Sequence, residues 1–285
     1  MNFFQRITKD HSYFIAEIGI NHNGNLKNAL KLIDAAKLAG CDAVKFQKRT
    51  PEICVPKDQW NIIKDTPWGK MKYIDYKKKI EFEKKEYDTI NDYCKKLSID
   101  WTASCWDIKS VNFIEKYKVK FHKVASACIT DLNLLERLKR SKKPIIISTG
   151  MSTENEIKKA VKVLSQKNLA ILHCNSSYPA PNNQLNLNYI TKLKFKFKKS
   201  VIGYSGHEIN LSSTVAAVVL GAKIIERHIT LDKSMWGTDQ MSSIEPLGFA
   251  RLIKDVRTVE DSLGVPKKIV FAEEKKMMKK LRKFS

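Results

Sequence analysis

Residues Tyr13–Gly40 read YFIAEIGINHNGNLKNALKLIDAAKLAG and predict one strand followed by one helix. The first part, Tyr13–Ile20, is apolar without strict alternation, which is typical of a strand covered on both faces. Apolar residues then recur at helical spacing at Leu26, Ala29, Leu30, Ile33 and Ala36. Asn25 can cap the start of this helix and Gly40 can end it. The stretch is therefore a strand–helix unit of the kind that builds a parallel sheet.

Seven further strand-like runs follow along the chain. They are Ala43–Gln47, Asp100–Cys105, Phe121–Ser126, Pro144–Gly150, Leu169–Asn175, Ser200–His207 and Lys223–Thr230. Helical periodicity returns in residues 157–164 and again in 249–263. Eight strand–helix units predict an α/β fold, a single (β/α)8 TIM barrel that spans residues 1–285. An open doubly wound sheet is the alternative, but it usually has fewer strands, and no dinucleotide-binding G-x-G-x-x-G follows the first strand.

Two segments depart from the regular repeat. Residues 48–83, after the second strand, form a connection much longer than an ordinary loop, and long connections in compact domains are usually functional or disordered. Its aromatic residues favour an ordered loop over the active face. Residues 273–285 form a basic C-terminal tail whose Met277, Met278 and Leu281 predict an amphipathic helix. We expect it to pack on the barrel, and a surface that faces a partner or a membrane is the alternative.

Composition narrows the class of protein. No apolar run reaches the roughly 18 residues that a membrane span needs, and Met1–Asp10 lacks the apolar core of a signal peptide. The six cysteines form no C-x-x-C pair and indicate free thiols in a reducing compartment. We therefore expect a soluble, cytoplasmic protein without a membrane partner.

The formal net charge is +22, and the lysines are scattered through all the predicted helices. Neither a zinc finger nor an RNA-binding motif accompanies them, so we expect no nucleic-acid partner. A positive field of this kind would steer anionic substrates toward a cleft.

Polar residues occur at or near the ends of all eight predicted strands, where a TIM barrel carries its chemistry. Lys45 and Lys123 lie inside apolar runs, where an unpaired lysine is rare. Facing one mouth, the two ammonium groups would repel each other unless an anion lay between them. The hydroxyl groups that could donate to such an anion belong to Ser126, Ser148, Thr149 and Ser205. We therefore predict a substrate that carries a carboxylate and a phosphate.

Two histidines, His207 and His228, end neighbouring predicted strands and could converge on one divalent metal ion. The alternative for each is a hydrogen-bonded core histidine, and the sequence leaves it open. His11 and His122 have no such pairing, so we interpret them as structural. For His173 both interpretations stand.

Six segments carry a resemblance to a known family. They are AEIGINHNG at 16–24, VKFQK at 44–48, STGM at 148–151, LHCNSSYP at 172–179, GYSGHE at 203–208 and ERHITLDKSMWGTDQ at 226–240. In order and approximate spacing they resemble the N-acetylneuraminate (sialic acid) synthases, over about residues 13–263. One such motif alone would be weak, but the ordered set is specific.

The resemblance implies an enzyme that joins phosphoenolpyruvate to N-acetylmannosamine and releases phosphate. It implies a divalent metal on His207 and His228, with manganese expected first and magnesium or cobalt as alternatives. The implied catalytic residues are Glu17, Lys45, Lys123, His207 and His228. The implied substrate-binding residues are Gln47, Thr102, Ser126, Asn175, Ser176, Tyr178, Ser205 and Asp239. A homodimer is implied as well.

Simpler roles remain open for three of these residues. Glu17 could be only the buried partner of a lysine, Asp239 could shape a turn, and Tyr178 could anchor a loop. The function also has alternatives: a synthase of another nonulosonic acid, of the legionaminic or pseudaminic type, or a barrel that binds a sugar or phosphate without turnover.

The sequence departs from the family pattern in two places. Many members carry a carboxylate two residues after the serine that matches Ser126, where this chain has Cys128, and Asp131 is the candidate replacement. Many members also continue into an antifreeze-like domain at the point where this sequence stops. Three alternatives follow. The barrel is active alone, a separate chain supplies the lid, or the 48–83 connection takes the place of the antifreeze-like domain.

Overall fold

Ten strands make up a barrel and a separate hairpin in a computed structural model that describes residues 1–284. The strands are β1 Tyr13–Gly19, β2 Ala43–Lys48, β3 Ile63–Thr66, β4 Gly69–Lys72, β5 Asp100–Cys105, β6 His122–Val124, β7 Ile145–Ser148, β8 Leu169–Cys174, β9 Val201–Gly206 and β10 Ile224–His228. Eight of them close into a barrel in the order β1-β10-β9-β8-β7-β6-β5-β2, and all of its paired strands are parallel. The predicted (β/α)8 barrel is confirmed.

The described residues form twelve α-helices, most of which connect barrel strands and cover their outer faces. They are α1 Phe3–Ile7, α2 Leu26–Ala39, α3 Pro51–Cys54, α4 Tyr73–Ile80, α5 Lys84–Leu97, α6 Ile108–Ile114, α7 Leu132–Arg140, α8 Glu154–Leu164, α9 Tyr189–Lys196, α10 Ser212–Val219, α11 Pro246–Leu263 and α12 Ala272–Leu281. The Asn25 side chain accepts hydrogen bonds from two backbone N–H groups of α2, and Gly40 ends the helix with φ of 92°. Both predicted ends of α2 are confirmed, because each uses a residue suited to that position.

Side chains alternate between the barrel interior and the helical layer along each strand, as the pleat of a strand requires. The deeper interior is apolar, and its members are Tyr13, Ile15, Ala43, Phe121, Ile146, Ala170, Leu172, Val201 and Ile224. Phe4 of α1 packs among them and is fully buried. Outward side chains pack with the helices into a larger apolar core. Polar side chains that face inward near the strand ends therefore lie above an apolar floor.

The predicted strand at Phe121–Ser126 is shorter than expected. Only His122–Val124 pairs as β6, because Ser126–Cys128 turns into a 3-10 helix immediately after it. This early turn directs the Ser126 side chain to the inner end of the barrel mouth, where it lines the cavity described below.

The 48–83 connection has its own secondary structure. It contains α3, a 3-10 turn at Lys57–Gln59, the antiparallel β3–β4 hairpin and α4. Tyr76 of α4 packs edge-on against Trp236, with the ring centroids 5.1 Å apart. This contact joins the connection to the segment that follows β10, so the two lie together on the C-terminal side of the barrel.

The basic tail forms the predicted helix, α12, but its predicted packing on the barrel is wrong. No residue of α12 is buried, and Met277 and Leu281 are 49% and 69% exposed. Three apolar side chains among lysines and glutamates bury too little area to offset the entropy of docking. Ser285 lies outside the described residues. In the described part of the chain, no helix is both long enough and apolar enough to cross a bilayer.

Candidate active site

A cavity of about 220 Å³ opens at the C-terminal ends of the barrel strands, and we call it the mouth. Most of the predicted site residues line it: Glu17, Lys45, Gln47, Lys123, Ser126, Ser176, Tyr178, Ser205, His207 and His228. Residues that we did not predict as site residues also line it, among them Ser104, Trp106 and Glu226. The structure thus brings side chains from distant parts of the chain into one concave site.

Lys45 is buried in the mouth between two carboxylates. Its Nζ lies 2.7 Å from Glu17 Oε2 and 4.0 Å from Glu226 Oε2. The ammonium also donates a hydrogen bond to the Ser104 hydroxyl. Glu17 therefore is the buried partner of a lysine, one of the roles left open from the sequence, and the same contact leaves it facing the cavity.

Lys123 shares the second carboxylate. Its Nζ lies 3.4 Å from Glu226 Oε1 and donates to Ser148 Oγ at 2.8 Å. Ser205 Oγ donates to the same Glu226 oxygen at 3.1 Å. The anion expected between the two lysines is thus present in the protein itself as Glu226.

Glu226 is the main site residue that the sequence prediction missed. It lies two residues before His228 on β10, so both side chains face the same side of the strand. A signal for it was available: a histidine interpreted as facing the mouth places the residue two positions earlier in the mouth as well.

The two buried carboxylates differ in their protonation. Burial raises the pKa of Glu17 into the neutral range, and Lys45 offsets only part of this effect. Burial also opposes the charge on Glu226, but Lys123 and Lys45 outweigh it and hold the Glu226 pKa well below its usual value. Glu226 is therefore the fixed counter-charge, and Glu17 is the group that can exchange a proton near neutral pH.

His207 and His228 lie side by side in the mouth, with ring centroids 5.4 Å apart. His207 Nδ1 donates to the Asn175 carbonyl at 2.6 Å, which leaves Nε2 of His207 free. His228 Nδ1 is buried without a hydrogen-bond partner. Burial lowers the pKa of His228 to about 3, so its imidazole is neutral.

Two adjacent imidazoles, each with a nitrogen that makes no hydrogen bond, fit a divalent metal ion. Within residues 1–284, no three His, Cys, Asp or Glu side chains are arranged to hold a metal. The pair would therefore supply two ligands, and water or substrate oxygens would complete the coordination. Asp239 Oδ2 is 3.8 Å from His228 Nδ1, which is too far for a hydrogen bond.

Tyr178 and Gln47 form parts of the wall around these groups. The Tyr178 ring packs on the His207 ring at a centroid distance of 4.1 Å. Gln47 Nε2 donates to Glu17 Oε1 at 3.1 Å, and Arg49 Nη2 donates to the side-chain amide oxygen, Oε1, of Gln47. Gln47 therefore connects the Glu17 carboxylate with a cation at the edge of the mouth.

Three predicted substrate-binding residues do not line the mouth. Thr102 is fully buried one layer deeper and donates to the Phe121 carbonyl at 2.8 Å, and Ser104, two residues further along β5, takes the mouth position. The Asn175 side chain instead donates to the Gln184 carbonyl at 2.9 Å and shapes the loop after β8. Asp239 lies next to His228, as described above. These predictions missed because the level that an inward side chain reaches depends on strand register.

Asp131 does not replace the carboxylate that many family members carry at the position of Cys128. Its side chain is exposed and accepts a hydrogen bond from Leu134 N at 3.0 Å, which makes it the N-cap of α7. The suggestion that Asp131 serves the sugar is therefore wrong. Cys128 itself is buried.

Three other histidines, His11, His122 and His173, do not line the mouth. His122 is buried on the outer side of β6, with its Nε2 3.6 Å from Glu115. His11 is half-exposed near Glu260, at 3.4 Å. His173 Nε2 donates to the Leu185 carbonyl at 2.7 Å, which answers the question left open for this residue in favour of a structural role.

A second buried charge network lies directly behind the mouth. Arg227, between Glu226 and His228, points outward and donates to Glu208 Oε1 at 2.8 Å and to Thr214 Oγ1 at 2.6 Å. The Tyr204 hydroxyl donates to the other Glu208 oxygen at 2.8 Å. Because Arg227 and Glu208 directly adjoin the two mouth histidines in sequence, this ion pair fixes the spacing of the strand ends that carry them.

Comparison with known proteins identifies the relatives of this chain. The sequence profile of the NeuB family matches residues 32–268. An N-acetylneuraminate-9-phosphate synthase of Drosophila melanogaster is 40% identical over 242 residues, which are 83% of this chain and 65% of that protein. An N,N'-diacetyllegionaminic acid synthase of Campylobacter jejuni is 36% identical over 94% of this chain and 82% of its own length.

A solved structure agrees with these sequence matches. The N-acetylneuraminic acid (sialic acid) synthetase of Leptospira borgpetersenii superposes with a TM-score of 0.84 at 32% identity. The superposition covers 95% of this chain and 91% of that one. The relatives thus share both sequence and barrel architecture with this chain.

Proposed function

The chain belongs to the NeuB family, and we propose that it condenses phosphoenolpyruvate with an N-acylated amino sugar, with N-acetylmannosamine as the first candidate. The product would be a sialic-type acid, with inorganic phosphate as the leaving group. The observation that supports this most is the meeting of Lys45 and Lys123 with His207 and His228 in one mouth. Ammonium groups suit the anionic donor, and imidazoles suit the metal that activates the acceptor.

Phosphoenolpyruvate would lie against the two lysines and the hydroxyls around them. Ser148 already contacts Lys123, and Ser126 lines the same wall. A multiply charged substrate would compete with Glu17 and Glu226 for the lysines. Protonation of Glu17 would relieve that competition, because its raised pKa makes the neutral form accessible near pH 7.

The acceptor aldehyde would lie next to the histidine pair. A divalent metal held by His207 and His228 would polarise the aldehyde oxygen as a Lewis acid. The bond forms between C3 of phosphoenolpyruvate and the aldehyde carbon. Water then adds at C2, and cleavage of the bond from C2 to the bridging oxygen releases phosphate. Glu17, which contacts Gln47 and Lys45, would accept or return a proton during these steps.

A second class of sugar acceptor remains an alternative because of Cys128. A thiol at this position replaces a carboxylate that many sialic acid synthases carry, so the contact with the sugar differs. A diacetamido sugar, as the name of the Campylobacter jejuni relative implies for that enzyme, is the alternative.

Phosphate release from phosphoenolpyruvate, measured with manganese and a panel of N-acylated sugars, tests the proposal. Release with N-acetylmannosamine supports the first acceptor, and release with diacetamido sugars alone supports the second. If folded, metal-loaded protein releases no phosphate with any acceptor, the chain is a binding barrel without turnover and the proposal is wrong.

A further inference from the structure

A small pocket of about 130 Å³ lies beside the mouth, between the 48–83 connection and the end of β5. Arg49, Tyr73, Lys77 and Trp106 contribute to its wall, and we call it the rim pocket. Trp106 also lines the mouth, so the two cavities share one wall. A single extended ligand could therefore reach from one cavity into the other.

The cations of the rim pocket lack the counter-charges that the mouth lysines have. In the structure of residues 1–284, neither the Arg49 nor the Lys77 side chain has a carboxylate within 4.0 Å, whereas Lys45 and Lys123 both do. Glu81 is the nearby candidate, but it pairs with Lys48 at 3.7 Å and accepts the Arg49 backbone N–H at 3.2 Å. Two positive charges thus face one pocket, and no carboxylate of the described residues pairs directly with either side chain.

Hydrogen-bond donors at the pocket are also unused. The Arg49 guanidinium stacks on Trp106, 4.0 Å from the ring centroid, and donates through Nη2 to Gln47. Its other amino group, Nη1, is buried without a partner, and so is the indole Nε1 of Trp106. Buried donors are nearly always satisfied in folded proteins, so two orphans at one pocket point to a ligand that accepts from them.

Lys77 completes the arrangement from the opposite side. Its ammonium lies 5.1 Å from the Tyr73 ring and 5.3 Å from the Tyr76 ring, which hold the side chain over the pocket. Burial and the neighbouring Arg49 lower the pKa of Lys77 to about 8. Asp239 and Glu81 oppose this shift only in part, and neither pairs with the ammonium.

We infer that Arg49, Lys77 and Trp106 form an anion subsite that takes a phosphoryl group at the distal end of the sugar acceptor. The inference rests on the proposed function, since the acceptor must occupy the mouth for its far end to reach the rim pocket. Two cations and several N–H donors suit a dianionic phosphoryl group better than a single carboxylate. Arg49 contacts Gln47, and Gln47 contacts Glu17. A single side chain therefore separates the subsite from Glu17, which lies where the acceptor would react.

The matched acceptors N-acetylmannosamine and its 6-phosphate test the subsite by kinetics. We expect the wild-type protein to prefer the phosphorylated sugar in kcat/KM. Arg49→Gln and Lys77→Gln should each reduce the ratio of the two kcat/KM values by roughly 10- to 100-fold, the range for loss of a charge-assisted hydrogen bond. Lys78→Gln is the control, because it removes the same charge from the same helix at a half-exposed residue paired with Glu52.

Two kinetic results would overturn the subsite and leave the proposed function intact. One is turnover without preference for the phosphorylated acceptor. The other is an equal loss for both acceptors in the variants, which would assign Arg49 and Lys77 to phosphoenolpyruvate or to general stability.

Binding provides a test that does not need turnover. Calorimetric titration of the 6-phosphate should show weaker binding to Arg49→Gln and Lys77→Gln by the same factor, with Lys78→Gln unchanged. If phosphate release fails while this difference is present, the proposed reaction is wrong and the anion subsite holds. Equal affinity of wild type and both variants for the 6-phosphate refutes the subsite.

Discussion

Charged residues on the inner and outer faces of one barrel strand differ in whether they contact a cavity or only other protein groups. On β10, Glu226 and His228 face the mouth, and Arg227 between them faces the helices. Arg227 Nη1 and both carboxylate oxygens of Glu208 are satisfied in a network with Thr214 and Tyr204, and Nε of Arg227 is the atom of this network that lacks a partner. In the mouth, Oε2 of Glu226 and Nδ1 of His228 also have no hydrogen-bond partner, but these two residues line a cavity that a ligand can enter.

On this one strand, the outward residue contributes to the stability of the fold and the inward residues are available for binding and chemistry. A buried ion pair closed on itself cannot take part in binding without being broken, and breaking it is costly. The mouth groups contact a cavity, and their unused atoms can bind an incoming ligand. Alternation of side chains along the strand lets adjacent residues serve these two purposes.

Loss of the outer network should give the largest effect, and it should be an effect on stability. Arg227→Met leaves Glu208 buried without its cation, and we expect a loss of roughly 3–5 kcal/mol in the free energy of unfolding, measured with denaturant. Arg227→Met with Glu208→Gln should recover part of this loss. A loss below about 1 kcal/mol would remove the distinction between the two faces.

Removal of a mouth histidine should act on turnover instead. We expect His207→Ala to reduce phosphate release by about 10²- to 10³-fold, through loss of manganese binding, while thermal unfolding of the metal-free protein changes little. His11→Ala, at a half-exposed histidine, is the matched control and should behave as wild type. Unchanged turnover in His207→Ala would disprove the metal assignment.

Glu226→Gln sharpens the contrast with Arg227. Because Glu226 raises the pKa values of Lys45 and Lys123, its neutralisation should lower both. The alkaline limb of the pH profile of kcat/KM should then move to lower pH, by roughly one unit if each lysine loses about 1.4 kcal/mol of stabilisation. A profile that superposes on that of wild type would show that Glu226 is not the counter-charge of the lysines.

The smallest effect concerns His122, which is next to Lys123 on β6 but faces outward. Burial lowers the pKa of His122 to about 4, below the value of about 6.5 in an unfolded chain. Stability from this residue is complete above pH 6.5 and is lost as the pH falls toward 4, because only the unfolded state then binds the proton. We expect a loss of about 1 kcal/mol between pH 7.5 and pH 5.5.

His122→Leu isolates this term. Subtraction of its stability curve from that of wild type cancels the other buried histidines, since they remain in both proteins. A pH-independent difference between the two curves would contradict the effect of burial on His122.

Local patterns in the sequence predicted much of the site. Lys45 and Lys123 were placed in the mouth because lysines inside apolar runs need a polar environment, and both face it. The histidine pair followed from neighbouring strand ends. Arg49, Trp106 and Glu226 were missed as site residues because their roles depend on partners that lie far away in the chain or have no motif of their own.

The sequence by itself determined the eight strand–helix units, the caps of α2 and the alternation of inward and outward residues, because these depend on neighbours within a few positions. Only the tertiary structure decided that Ser104 and not Thr102 reaches the mouth. Ser104 pairs with Gln47 and Lys123 at the level of the mouth, whereas Thr102 pairs one level lower with Lys45, whose long side chain extends up to Ser104. The tertiary structure also decided that Asp131 caps a helix and that Glu226 joins two lysines. Such levels and pairings depend on how distant strands align, and residue periodicity does not encode that alignment.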